Sequence, residues 1–230
     1  MHPIKSPDPD GMPPIFFQKY WNIVSQNVSD CILNILNTGV MPLEMNETHI
    51  CLLPKKKPQK ITEYSPISLC NVTYRILAKV LANRLKKVLP NVINESQSAS
   101  IPGRLIIDNV LVAFETMHHI NQRRKGKEGL MAIKLDISKA FDRVEWKCLE
   151  LIMQKLGFHD RWISIIMMCI TTISYSILLN GEPKGVIYPL RGTRQGDPLN
   201  PFLFLLCAKG LSAMLKREER WGTIRGIAVC

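Results

Sequence analysis

The stretch Leu135-Asp136-Ile137-Ser138-Lys139-Ala140-Phe141-Asp142 holds the residue types best suited to chemistry. The run from Leu130 to Ile137 predicts a strand buried on at least one face, with Asp136 at its end. A rigid strand end can aim a carboxylate into a cleft. Hard divalent cations take oxygen ligands, and the Ile137 carbonyl could supply a second one beside Asp136. Phe141, past a turn, could wall the same cleft. An aspartate ending a strand also serves as an ordinary turn or helix cap, and the residues alone leave both roles open. A second candidate is the polar loop Arg191-Gly192-Thr193-Arg194-Gln195-Gly196-Asp197-Pro198-Leu199-Asn200-Pro201. Its backbone amides and Gln195 could approach a flat base or a sugar. Asp197 as N-cap and Pro198 at the first helical position would equally make it a plain helix start.

The elements that must hold these segments follow from periodicity. A helical pattern runs from about Ile15 to Leu36 and stops near Thr38-Gly39, after an irregular Pro- and Asp-rich opening. His49–Leu53 predicts a short strand, followed by a solvated basic loop at residues 54–58. Tyr74–Leu89 is amphipathic, with Leu77, Leu81, Leu85 and Val88 on one stripe and Pro90 as its end. Lys79, Lys86 and Lys87 lie off that stripe and make a wet basic face or a nucleic-acid contact. A helix over Ile106–Asn121 precedes a charged loop at 122–128. Helices are expected at Val144–Leu156, closed by Gly157, and at Arg161–Ile170. Tyr175–Leu179 and Gly185–Tyr188 predict a hairpin around Asn180-Gly181. A last helix should run from Pro198 towards Arg217. The class is α+β, rich in helix with few strands.

The 230 residues carry 30 Lys and Arg against 19 acids, a net charge of +11 that suits a polyanionic partner. The seven cysteines stand singly, with no two-residue gap of a zinc knuckle and an odd count that argues against a full disulfide framework. They read as thiols in a reducing compartment. No apolar leader opens the sequence, and the apolar runs 165–170 and 202–208 are too short to span a bilayer. A soluble intracellular protein, nuclear or cytoplasmic, without membrane association, is expected.

Two further segments join the two chemical ones: residues 64–72, Tyr-Ser-Pro-Ile-Ser-Leu-Cys-Asn-Val, and residues 97–104, Gln-Ser-Ala-Ser-Ile-Pro-Gly-Arg. In this order and spacing the four motifs resemble the reverse transcriptase of non-long-terminal-repeat (LINE-type) retrotransposons, of the kind abundant in plant genomes. The resemblance extends from Pro7 to Ile227. It implies a right-hand polymerase fold, with fingers and fingers–palm helices over residues 1–129 and a partial palm over 130–230. It implies RNA-templated attack of a DNA primer on a deoxynucleotide, with two divalent ions, usually magnesium. Asp136 matches the first metal-binding aspartate, with the Ile137 carbonyl as partner. Phe141 matches the steric gate against a ribose 2′-hydroxyl. Gln195 and Gly196 match the loop shaping the nucleotide pocket, and Lys55 a triphosphate contact. Lys79, Lys86, Lys87 and Arg104 are candidates for template or primer phosphates. Asp142 is expected to support the turn instead of binding metal.

The sequence also departs from the family pattern. The family has a later hairpin with two adjacent aspartates, and no Asp-Asp pair occurs here. The expectation is a chain that lacks the last catalytic carboxylates, an incomplete palm sheet, and no polymerase activity by itself. The thumb, endonuclease and ribonuclease H of full elements are not expected in it. Ser65 stands where Arg is usual, Ser100 where Phe is usual, Asp8 where Gly is usual, and Lys209 where an acid is usual. A non-catalytic nucleic-acid-binding remnant is the alternative. Oligomeric state is not legible.

Overall fold

A computed structural model describes residues 9–55, 57–122 and 129–226. The basic run predicted as a loop after Gln122 lies outside the described residues. Helices α1 (Pro14–Lys19) and α2 (Trp21–Thr38) replace the single helix expected from Ile15. α2 buries Val28, Ile32, Ile35 and Leu36 at helical spacing, and the Gly39 amide closes it on the Ile35 carbonyl at 2.8 Å. Strands β1 (Glu47–Pro54) and β2 (Tyr64–Cys70) pair antiparallel, with Thr48 opposite Cys70 and Pro54 opposite Tyr64.

Helix α3 (Val72–Val92) is the axis of the core: Tyr74, Leu77, Ala78, Leu81 and Leu89 are wholly buried. Two expectations fail here. Val88 is 40% exposed and Leu89 takes its place on the buried stripe, because i to i+4 steps carry the face from Leu85 to Leu89. Pro90 does not end the helix, since its missing amide costs one bond and the Ile93 amide still reaches Leu89 O at 2.9 Å.

Helices α4 (Ile106–Gln122), α5 (Trp146–Lys155) and α6 (Asp160–Thr171) follow, close to expectation. β3 (Ser174–Leu179) and β4 (Glu182–Ile187) form the predicted hairpin, turning on Asn180 and Gly181 at φ 53° and 85°. β3 lies parallel to β1, so the sheet order is β2-β1-β3-β4. This sheet takes strands from both sides of residue 130, and the buried residues form one cluster over α2, α3, α5, α6 and α7 (Asn200–Arg220).

The strand expected over Leu130–Ile137 is not formed. Met131, Ile133 and Leu135 are 74%, 68% and 69% exposed. A strand is held by a neighbour's ladder and by one buried face, and this segment has neither among the described residues. α4 likewise buries no residue. No helix among the described residues is long and apolar enough to cross a membrane.

Candidate functional site

Two segments are laced together to make one wall of a cleft. The Gly192 amide donates to Val144 O at 2.8 Å, the Thr193 amide to Phe141 O at 3.0 Å, and the Trp146 indole to Gly192 O at 2.7 Å. Gly192 sits at φ 84°, and a Cβ there would lie 3.0 Å from the Asp142 carbonyl oxygen and 3.1 Å from its Cα. Only glycine allows that approach. The lacing sets Phe141 beside Gln195, and the Phe141 ring packs edge-on against Phe204 of α7 with centroids 5.7 Å apart.

The opposite wall is the end of β1 and the start of β2, with Leu52, Lys55, Tyr64, Ser65 and Pro66. The enclosed cleft measures about 460 Å³. It carries two cations, Lys55 and Lys139, and one carboxylate, Asp142. A smaller lobe of about 140 Å³ shares Pro66, Asp142 and Gln195 with it and adds Tyr175, Arg191 and Thr193. Burial pushes the Tyr175 phenol up to about 12, so it is a neutral hydrogen-bonding group on that wall.

Residues 53–227 match the family model described as reverse transcriptase (RNA-dependent DNA polymerase). The chain belongs to the reverse transcriptase family. It is 32% identical over 93% of its length to the transposon TX1 149 kDa protein of Xenopus laevis, of which it covers 16%. It is 28% identical over 74% of its length to the retrovirus-related Pol polyprotein from the type-1 retrotransposable element R2 of Popillia japonica, covering 24% of that protein. A mitochondrial protein of Arabidopsis thaliana shares 48% identity over 52 residues. The chain is thus a stretch of reverse transcriptase domain homologous to those of LINE-type retrotransposon proteins, and it spans less than a quarter of the first two relatives.

In this reverse transcriptase chain the expected site residues divide. Lys55, Phe141 and Gln195 line the same cleft, and Gly196 follows Gln195 on the exposed loop. Asp136 and Ile137 do not line it. Both are exposed on the segment that failed to form a strand, so the rigid backbone expected to aim the carboxylate is absent. Asp142, expected to support a turn, lies in one, its amide donating to Lys139 O at 3.0 Å, and it is also the carboxylate on the cleft wall. Reverse transcriptases use divalent metal ions. Among the described residues, no three His, Cys, Asp or Glu side chains converge to hold one. The expected pair of Asp136 and the Ile137 carbonyl, as placed, does not make such a cage.

The basic candidates also divide. Lys79 and Lys87 are exposed on α3, while Lys86 lies with its ammonium 5.3 Å from the Phe202 ring centre. Arg104 is already engaged. Its guanidinium donates to the carbonyls of Gln97 at 2.7 Å and of Asn94, Pro90 and Ile93, at and just beyond the end of α3. Arg104 thus braces the chain beyond α3; contact with a template or primer phosphate is a proposal for this residue.

Sequence reasoning missed three residues. Lys139 lines the cleft from a left-handed backbone at φ 52°. Arg194 and Tyr74 are buried at 1% and 0% exposure. The signal available for Arg194 was a cation set between Thr193 and Gln195 in the loop, and for Tyr74 an aromatic on the apolar stripe of α3. Neither type nor spacing says that the two meet.

Proposed function

We propose that the cleft takes the deoxynucleotide of an RNA-directed DNA polymerase of the LINE type. The observation that carries this reading is the convergence of Lys55, Phe141 and Gln195, distant in sequence, on one cleft. Lys55 and Lys139 face the triphosphate, as two ammonium groups suit a polyanion. Phe141 fills the space that a ribose 2′-hydroxyl would need. Gln195 and Gly196 shape the pocket around base and sugar. Lys79, Lys86 and Lys87 on α3 follow the phosphates of RNA template or DNA primer, a contact that salt weakens. Residues 1–129 act as fingers and 130–230 as palm. Magnesium is the ion this reading expects, and the carboxylates do not converge on a cage for it among the described residues. Because the sequence carries no adjacent pair of aspartates, this reading expects no polymerase activity of the 230-residue chain by itself.

The purified chain, with RNA template, DNA primer and magnesium, is expected to give no primer extension, and robust extension would refute that part. dTTP binding should weaken in Lys55→Ala and stay unchanged in Lys147→Ala, a lysine that does not line the cleft. Equal binding by both would refute the cleft assignment. A reading as a nucleic-acid binder without catalysis is favoured by the exposed position of Asp136. It predicts salt-sensitive RNA binding that charge reversal at Lys79, Lys86 and Lys87 abolishes.

A further inference from the structure

Gln195 is exposed, but the residues around it are turned inward and grip one side chain of another element. Arg194 precedes it and lays its guanidinium carbon 3.8 Å from the centre of the Tyr74 ring on α3. Asp197, two residues after Gln195, accepts a 2.6 Å hydrogen bond from the Tyr74 hydroxyl. Burial raises the Tyr74 pKa well above the usual phenol value, so the hydroxyl keeps its proton and donates. Arg194 Nη2 also donates to Asn46 Oδ1, just before β1, and to Cys169 O of α6 at 3.1 Å. Asn46 Nδ2 in turn donates to Thr172 Oγ1 at 2.6 Å.

For packing alone this is a poor use of a buried site. Arg194 Nε and Nη1 have no hydrogen-bond partner, and a buried cation with idle donors costs free energy that an apolar side chain would not. Such violations of local rules concentrate where a position has to be held for function. Arginine suits that task because its plane stacks on a ring while its edge donates to a second and a third group, which a lysine cannot do together. With Arg194 pinned on one side of Gln195 and Asp197 on the other, the intervening backbone has little freedom.

We infer that Arg194 and Tyr74 form a positioning clamp that fixes the direction of Gln195 into the cleft and so sets the affinity for the deoxynucleotide. This rests on the nucleotide reading of that cleft. Neither residue touches the nucleotide; both act through Gln195. The clamp also ties the loop to α3, to the turn before β1 and to α6 at once, so movement of any of these is passed to the pocket.

The test uses the 230-residue chain and dTTP as the probe, with Arg194→Lys, Tyr74→Phe and Gln195→Ala singly and combined. Arg194→Lys and Tyr74→Phe are each expected to weaken dTTP binding by about three- to tenfold, the scale of one well-placed hydrogen bond. In the Gln195→Ala background neither should weaken it further, whereas Lys55→Ala should still do so. Amide exchange at Thr193 and Leu199 should quicken while that of the α3 core does not change. A general loss of structure would instead weaken binding equally with and without Gln195, and that result overturns the clamp. So does unchanged binding in both clamp variants when Gln195→Ala weakens it. If Arg194→Lys does not fold, Tyr74→Phe, which keeps the ring and removes one oxygen, decides alone. If wild-type chain binds no dTTP, the nucleotide reading falls and the inference falls with it.

Discussion

Gly192→Ala tests the lacing that builds the cleft. The added methyl has two costs. The residue is held at φ 84°, and a left-handed backbone costs an L-residue about 1–2 kcal/mol. The Cβ would also meet three backbone atoms of Asp142 at 3.0 to 3.2 Å. Backbone gives less than a side chain, so roughly 1–3 kcal/mol is added by overpacking. Alanine stiffens the unfolded chain and returns about 0.4–1 kcal/mol. The net loss should be about 2–3 kcal/mol, read as a lower urea midpoint at unchanged slope. Gly39→Ala is the control, because Gly39 has φ 75° but no atom within 4 Å of the would-be Cβ. It carries the backbone cost alone, so it should lose roughly 1 kcal/mol or less. Equal destabilisation by the two substitutions would refute the close approach of Gly192 to Asp142, and with it the reason that Phe141 and Gln195 share a wall.

Leu89→Ala should cost about 2–5 kcal/mol and Val88→Ser less than about 0.5 kcal/mol in urea unfolding, a contrast that tests which residue continues the α3 stripe. Arg104→Met should destabilise the chain by about 1–3 kcal/mol, by stranding carbonyls beyond α3, and leave the salt dependence of RNA binding unchanged. A shallower salt slope would show that Arg104 also contacts phosphate. Stability should also fall in alkali. Burial raises Cys169 from 9.0 to about 12 and Tyr175 from 10.0 to about 12. The native state then holds protons that the unfolded chain releases, so these two groups leave stability unchanged below about pH 9 and lower it between there and about pH 12. A urea midpoint that rises over that interval would contradict the burial of both groups.

Local pattern made much of this fold legible. α2, α3, α5, α6 and the Asn180-Gly181 hairpin follow from apolar spacing, a stop signal or turn chemistry within a few residues. Misreadings arose where a distant partner decides. Leu130–Ile137 has the composition of a strand, but composition cannot supply a neighbouring ladder. Pro90 is a helix breaker by type, yet its place in the last turn of α3 makes the lost bond tolerable. Asp197 reads as an N-cap two residues too early, since Leu199 holds that place. Its carboxylate is divided between the Leu199 amide and the Tyr74 hydroxyl, and α7 begins at Asn200. Lys55, Phe141 and Gln195 were legible as a set through the family resemblance alone. Their common cleft depends on the β1–β2 pairing and the Gly192 contact, which no single segment reveals.

The central claim is that the cleft between the β1–β2 turn and the Gly192 loop receives a deoxynucleotide. Photo-crosslinking of 8-azido-dATP to the purified chain, with peptide mapping of the label, tests it most directly. Label confined to peptides carrying Tyr64, Ser65, Phe141 or Gln195, and displaced by excess dTTP, is the predicted result. Label on α4 or α7 with none on those peptides would contradict the account.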